Sequence, residues 1–117
     1  MSELGEIRDG WIDLGPDDLA EGELRGLEID GRHVLLARHQ GALAAMDDMC
    51  NHVGCLLSGG WIDGKKGAVV CPCHEIEFDL LTGKNITRPR LCEDQLAHQA
   101  RSADGRALVK LGKGDAR

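Results

Sequence analysis

Apolar residues along this chain fall in short runs cut by turn signals, and no segment keeps a helical repeat over the roughly ten residues that a confident helix needs. The pattern predicts strands at Gly10 to Leu14, Glu23 to Ile29, Arg32 to Arg38 and Ala42 to Met46. Asp30-Gly31 and Gln40-Gly41 fit two-residue hairpin turns between neighbouring strands, because glycine takes positive φ without steric cost. A further hairpin pairs Leu96 to Arg101 with Ala107 to Leu111 across Asp104-Gly105. One short helix is expected at Pro16 to Ala20, where a proline precedes two aspartates near the positive end of a helical turn. The last residues, Gly112 to Arg117, carry no pattern.

Composition agrees with a small all-β domain. The chain has 117 residues, 42% hydrophobic and 29% charged, enough to bury about two thirds of its unfolded surface without a metal or disulfide to hold it. The core must be aliphatic, since Trp11, Trp61 and Phe78 are the only aromatic residues. Fourteen Lys and Arg against 20 Asp and Glu give a net charge of -6. That charge repels phosphate backbones and anionic lipid surfaces, so neither nucleic acid nor a membrane is an expected partner. Met1 to Gly10 lacks the basic-then-apolar pattern of a secretion signal, and no run of 18 apolar residues occurs. A cytoplasmic monomer without a small-molecule substrate is expected. In a reducing compartment its five cysteines point first to metal or redox chemistry.

The chemistry concentrates in Met46 to Pro89. Cys50-Asn51-His52 and Cys71-Pro72-Cys73-His74 each join one thiolate to one imidazole, with 18 residues between His52 and Cys71. Zinc accepts two cysteines and two histidines, but such sites usually close a Cys-x2-4-Cys turn on one ion, which a one-residue gap fits poorly. On extended backbone, residues i and i+2 point to the same side, so Cys50 and His52 suit two neighbouring atoms better than one. Two such loops face to face fit a two-iron cluster with two cysteines on one iron and two histidines on the other. Zinc stays open as the alternative.

With Cys-x-His, the spacer and Cys-x-x-His in place, the sequence resembles the Rieske iron-sulfur family. Supporting matches are Leu57-Ser58-Gly59-Gly60, Val69-Val70, Phe78-Asp79 and Thr82-Gly83. The resemblance implies an antiparallel β-sandwich or barrel base domain, residues 1–45 and 90–117, with a small cluster-binding subdomain at about 46–89 inside a single domain of residues 1–117. It implies one Rieske [2Fe-2S] cluster per chain, held by Cys50, His52, Cys71 and His74. Histidine ligation leaves the oxidised cluster formally neutral, which raises the potential to about -150 to +300 mV against about -400 mV for plant-type ferredoxins. Both irons are then four-coordinate, so one-electron transfer is the expected work and no catalytic residue is expected. Relatives in cytochrome bc-type complexes bridge the cysteines that match Cys55 and Cys73, whereas ferredoxins serving oxygenases usually lack them; a Cys55 to Cys73 disulfide is therefore expected. Cys92 is expected as a small buried residue.

The chain departs from the bc-type pattern after the second histidine, where Glu75 and Ile76 replace a glycine and a serine and Phe78 replaces a tyrosine. Two hydroxyl hydrogen bonds to sulfur are lost and a carboxylate is added, which favours the lower half of the Rieske potential range. His33, His39 and His98 lack ligand spacing and are expected at the surface or at strand ends, and Trp61 in the core, with a place on the docking face as the alternative. The implied function is a soluble ferredoxin that carries single electrons from a reductase to an oxygenase, most naturally a ring-hydroxylating one. The alternative is a Rieske subunit of a larger oxidoreductase, resembling either a nitrite-reductase small subunit or a bc-type protein. An oxygenase in its own right would need a further mononuclear iron site, for which this length leaves no domain.

Overall fold

The computed structural model describes residues 5–6, 10–50, 54–73, 75–87 and 93–112. Strands β1 (Gly5–Glu6), β2 (Trp11–Pro16), β3 (Leu24–Ile29), β4 (Arg32–His39) and β5 (Ala42–Asp47) precede a 3-10 turn at Leu57–Gly59. Then come β6 (Trp61–Asp63), β7 (Ala68–Val70), β8 (Glu77–Asp79), β9 (Ala97–Ala103) and β10 (Arg106–Lys110). Seven strands form one antiparallel sheet in the order β1-β2-β10-β9-β5-β4-β3, and β6-β7-β8 form a second sheet. The all-β expectation holds, and so do the three hairpins: Asp30 and Gly31, Gln40 and Gly41, and Asp104 and Gly105 all take positive φ, the backbone of turns that match the twist of paired strands.

Strands β4 and β5 are buried on both faces, which explains why Val34-Leu35-Leu36-Ala37 and Leu43-Ala44-Ala45-Met46 are continuous apolar runs rather than alternating ones. Leu35, Ala37, Ala44 and Met46 pack with Val69, Phe78 and Leu80 of the smaller sheet and its exit. Val34, Leu36, Leu43 and Ala45 face the other way, onto Leu19, Ile29, Ala107 and Val109. The central hairpin thus floors the smaller sheet while closing the larger one.

The expected helix at Pro16 to Ala20 is absent. Pro16 ends β2 opposite Arg106, and the Asp17 N–H donates to the Gly105 carbonyl at 2.9 Å. The Asp17 carboxylate, which a helix would have used at its own first turn, instead accepts from Arg38 and Ser102. Contacts distant in sequence outweigh the weak local preference of a five-residue segment.

Several carboxylates tie loops to strands. The Asp17 carboxyl titrates below the ordinary value because Ser102, and then Arg38, favour its charged form against the opposing effect of burial. Glu21 is lowered by the N–H groups of Gly41 and Gln40, which it holds at 2.9 and 2.6 Å. Burial opposes the charge of Asp47, yet His98 and Arg32 together outweigh it and lower its pKa. Groups depressed in the folded state stabilise it above their unfolded pKa values and cease to do so as pH falls through the folded ones. The melting temperature is therefore expected to hold from neutrality down to about pH 5 and to fall below about pH 4. A flat melting temperature from pH 5 to pH 2.5 would count against these contacts.

Candidate metal centre

Two six-residue loops share one backbone scheme. In the first, the Cys50 N–H donates to the Cys55 carbonyl at 2.7 Å and the Gly54 N–H to the Cys50 carbonyl at 2.8 Å. In the second, the Cys71 N–H donates to the Ile76 carbonyl at 2.9 Å and the Glu75 N–H to the Cys71 carbonyl at 2.8 Å. Each loop opens on a cysteine and turns back at a residue of positive φ, +77° at Gly54 and +57° at Glu75. This correspondence is hidden in the sequence because glycine holds the turning position in one loop and glutamate in the other.

Cys50 and Cys71 are buried in one cluster with Leu57, Ile76 and Phe78. A Cys55–Cys73 disulfide clasps one loop to the other across a sequence separation of 18. The fifth cysteine, Cys92, and both histidines of the motif, His52 and His74, lie outside the described residues. Phe78 is fully buried in β8 opposite Val69, so the position where bc-type relatives have a tyrosine carries no hydroxyl.

Gly60 explains part of the Leu57-Ser58-Gly59-Gly60 match. A Cβ there would lie 1.9 Å from the Val70 carbonyl oxygen and 3.1 Å from Pro72 Cδ, so only glycine lets the segment after the first loop lie against the start of the second. Asp79 shapes the other side: its Oδ1 accepts from the N–H groups of Leu81 and Thr82 at 2.8 and 3.0 Å, turning the chain toward Gly83.

One expectation fails here and one is met only in part. Trp61 is half exposed on β6 rather than in the core. His98 does stand at a strand end, second in β9, but not at the surface: its ring is fully covered, with Nε2 2.9 Å from Asp47 Oδ1 and Nδ1 accepting the Gly112 N–H at 2.8 Å. An imidazole that satisfies both nitrogens inside the protein leaves no signal in local spacing.

Glu75 pays for its position in backbone strain, since a left-handed conformation costs a non-glycine residue about 1 kcal/mol or more. Glu75→Gly is expected to raise the stability of the apoprotein by up to about 1 kcal/mol, the relief exceeding the extra unfolded-chain entropy of glycine. Removing the carboxylate is also expected to shift the reduction potential upward, and Glu75→Gln separates the two effects by removing charge while keeping the strain. Thermal melts and voltammetry of the three proteins decide it, and a less stable Glu75→Gly protein would refute the strain.

A model of the Rieske [2Fe-2S] domain matches residues 11–100. The ferredoxin component of the naphthalene 1,2-dioxygenase/salicylate 5-hydroxylase systems of Ralstonia sp is 30% identical over 102 residues, covering 86% of this chain and 95% of that protein. The ferredoxin component of the naphthalene 1,2-dioxygenase system of Pseudomonas putida is 31% identical over 80 residues, 68% of this chain and 75% of that one. Among solved structures, the ferredoxin of carbazole 1,9a-dioxygenase from Nocardioides aromaticivorans IC177 superposes with a TM-score of 0.78 at 22% identity, covering 95% of this chain and all of that one, which shows the shared fold.

Proposed function

Because the chain belongs to the Rieske [2Fe-2S] family, we propose that it is a one-electron carrier, the ferredoxin component of an oxygenase system, and not itself the catalyst. It takes electrons from a reductase and passes them to a terminal oxygenase, most naturally one that hydroxylates aromatic rings. The observation that carries this reading is the pair of equivalent loops, each opened by a buried cysteine and clasped to its counterpart, in a chain that spans nearly the whole of a ferredoxin relative.

The residues present fit a Rieske [2Fe-2S] cluster. Cys50 and Cys71 stand at equivalent loop positions in one buried cluster, sheltered from water as thiolate ligands of a cluster require. In this reading Cys50 and Cys71 hold one iron, and His52 and His74 hold the other; residues 46–89 form the cluster-binding subdomain on a base of residues 1–45 and 90–117. When bound, the cluster supplies a single reversible electron in the Rieske potential range. The chain's own contribution is to hold the loops still: the clasp, the two backbone bonds in each loop and the apolar floor of Met46, Leu57 and Phe78 limit reorganisation when the charge changes. Among the described residues no helix is long and apolar enough to cross a membrane, and a cytoplasmic setting is part of the proposal.

The reading is tested on purified protein. A red-brown colour and a Rieske-type electron paramagnetic resonance signal after reduction are expected; a colourless protein with stoichiometric zinc would overturn it. With a net charge of -6, docking on basic partner surfaces is expected to make electron transfer slow as salt is added, and rates that do not change with ionic strength would remove charge steering from the account. The Cys55–Cys73 clasp favours a second reading, a Rieske subunit of a larger bc-type oxidoreductase. Faster reoxidation by an oxygenase than by a c-type cytochrome decides against it.

A further inference from the structure

Strands β5 and β9 pair only at Ala45–His98 and Met46–Ala97. Beyond that ladder they part, and Leu43 and Ala44 on one side and Ala100 and Arg101 on the other border a groove of about 500 Å³. Trp11 of β2 and the Leu80-Leu81 turn after β8 complete its rim. Leu43, Ala44 and Leu80 are buried, so the groove has an apolar floor. Its volume lies within the range of small-ligand sites, about 300 to 1,000 Å³. It stands at the other end of β8 from the second cysteine loop: Glu77 lies opposite Val70, next to Cys71, whereas Leu81 follows the last residue of the strand, Asp79.

Two rim residues are not explained by the packing of the fold. Leu81 is 73% exposed, the most of any large hydrophobic residue among those described. Its turn is fixed by backbone, through the N–H that donates to Asp79 Oδ1, and not by its side chain. Arg101 is exposed, with Cζ 4.5 Å from the centroid of the Trp11 ring. Arg25, Arg32, Arg38 and Arg106 each have a carboxylate within 4.0 Å, and among the described residues Arg101 is the one arginine that has none. In a chain of net charge -6, that is a cation held clear of abundant anions.

The contact with the indole holds the guanidinium in place while leaving its fork of N–H donors for a carboxylate. Lys110 of β10 stands opposite Trp11 on one side and Gln99 on the other, which puts a second positive charge on the same face. Beside these cations the groove offers only aliphatic walls for the body of a ligand. A ring fits them better than a flexible chain of equal size, because it loses fewer internal rotations on binding.

We propose that this groove binds a small organic carboxylate with an aromatic body: Arg101, fixed over Trp11, takes the carboxylate, and Leu81 packs on the ring.

Calorimetric titration and thermal melting of the full chain with its cluster test the site, with phenylacetate as the probe and neutral phenylacetamide as its uncharged counterpart. Phenylacetate is expected to bind once per chain with a dissociation constant of about 1 mM or below, and to raise the melting temperature. Phenylacetamide is expected to bind about tenfold more weakly, for want of a charge-assisted hydrogen bond. Arg101→Gln is expected to bring phenylacetate down to the affinity of the amide and to leave the amide unchanged. Leu81→Ser is expected to weaken both by about tenfold while the unliganded protein melts as before. Arg25→Gln removes the same charge elsewhere and is expected to bind phenylacetate as the wild type does. A wild-type protein that does not bind phenylacetate, equal affinities for acid and amide, or unchanged binding in Arg101→Gln or Leu81→Ser would each overturn the proposal. Tighter binding of the capped peptide acetyl-Asp-Leu-Leu-amide, or a dimer in sedimentation that Arg101→Gln abolishes, would give the groove to a protein surface and overturn it as well.

Discussion

Gly60→Ala is expected to yield protein that folds poorly and does not retain an iron-sulfur centre, at a stability cost of about 3 kcal/mol. The new methyl would sit 1.9 Å from the Val70 carbonyl oxygen, and backbone rather than a pliable side chain is what it meets. Val70 is held on both sides, by Trp61 of β6 and Glu77 of β8, so it cannot yield without opening the smaller sheet. The alternative is for residues 57–60 to lift away, which withdraws the end of the first loop from the second. A loss of that size is a large share of the roughly 5 to 15 kcal/mol that stabilises a domain. Gly64→Ala is the control, since a Cβ there meets nothing within 4 Å. Denaturant unfolding of the apoproteins and iron analysis of the reconstituted ones test this, and wild-type values for both in Gly60→Ala would show that the segment is freer than described.

Opening the Cys55–Cys73 clasp is expected to lower apoprotein stability by about 3 kcal/mol, because the cross-link closes a loop of 18 residues' separation and its main effect is to limit the unfolded chain. Cys55→Ser/Cys73→Ser makes the same measurement without reductant. Because the clasp joins the two cysteine loops directly, the variant is also expected to lose the centre proposed there faster on dilution or chelation. Chain entropy acts on the unfolded state, so the equilibrium loss should appear even where the folded structures coincide. Matching denaturation midpoints for oxidised, reduced and doubly substituted protein would show that the bridge contributes nothing. The result bears on the proposed setting as well: cytosolic disulfides are usually transient, so a clasp of full strength in the cytoplasm would have to resist the reductants there.

The division between local and long-range information is visible in single residues. Asp30-Gly31 and Asp104-Gly105 specify their turns through their own φ preferences, and the structure repeats them. The motif Cys50-x-His52 and Cys71-x-x-His74 carries the resemblance that implies the proposed ligand set, because residue type and short spacing are both written in the chain. Even the clasp could be expected, by resemblance, from the places of Cys55 and Cys73. Where a residue's role depends on partners far away in sequence, local reading failed. Pro16 to Ala20 has the marks of a helix start, but Gly105, Arg38 and Ser102 take its polar groups. His98 has no ligand spacing and proved fully covered, since Asp47 and Gly112 satisfy its ring from two other segments.

By itself, then, the sequence determined the class of fold and the hairpin turns, which follow from side-chain type, period and backbone preference over a few residues, and it carried the motif whose family resemblance implies the chemistry. Only the tertiary structure decided that β4 and β5 are covered on both faces, that the two cysteine loops share one hydrogen-bond scheme despite Gly54 in one and Glu75 in the other, and that the His98 ring is fully covered. The physical reason is common to all three. Burial and hydrogen-bond satisfaction are properties of assembled surfaces, and no short window of sequence contains the partner that completes them.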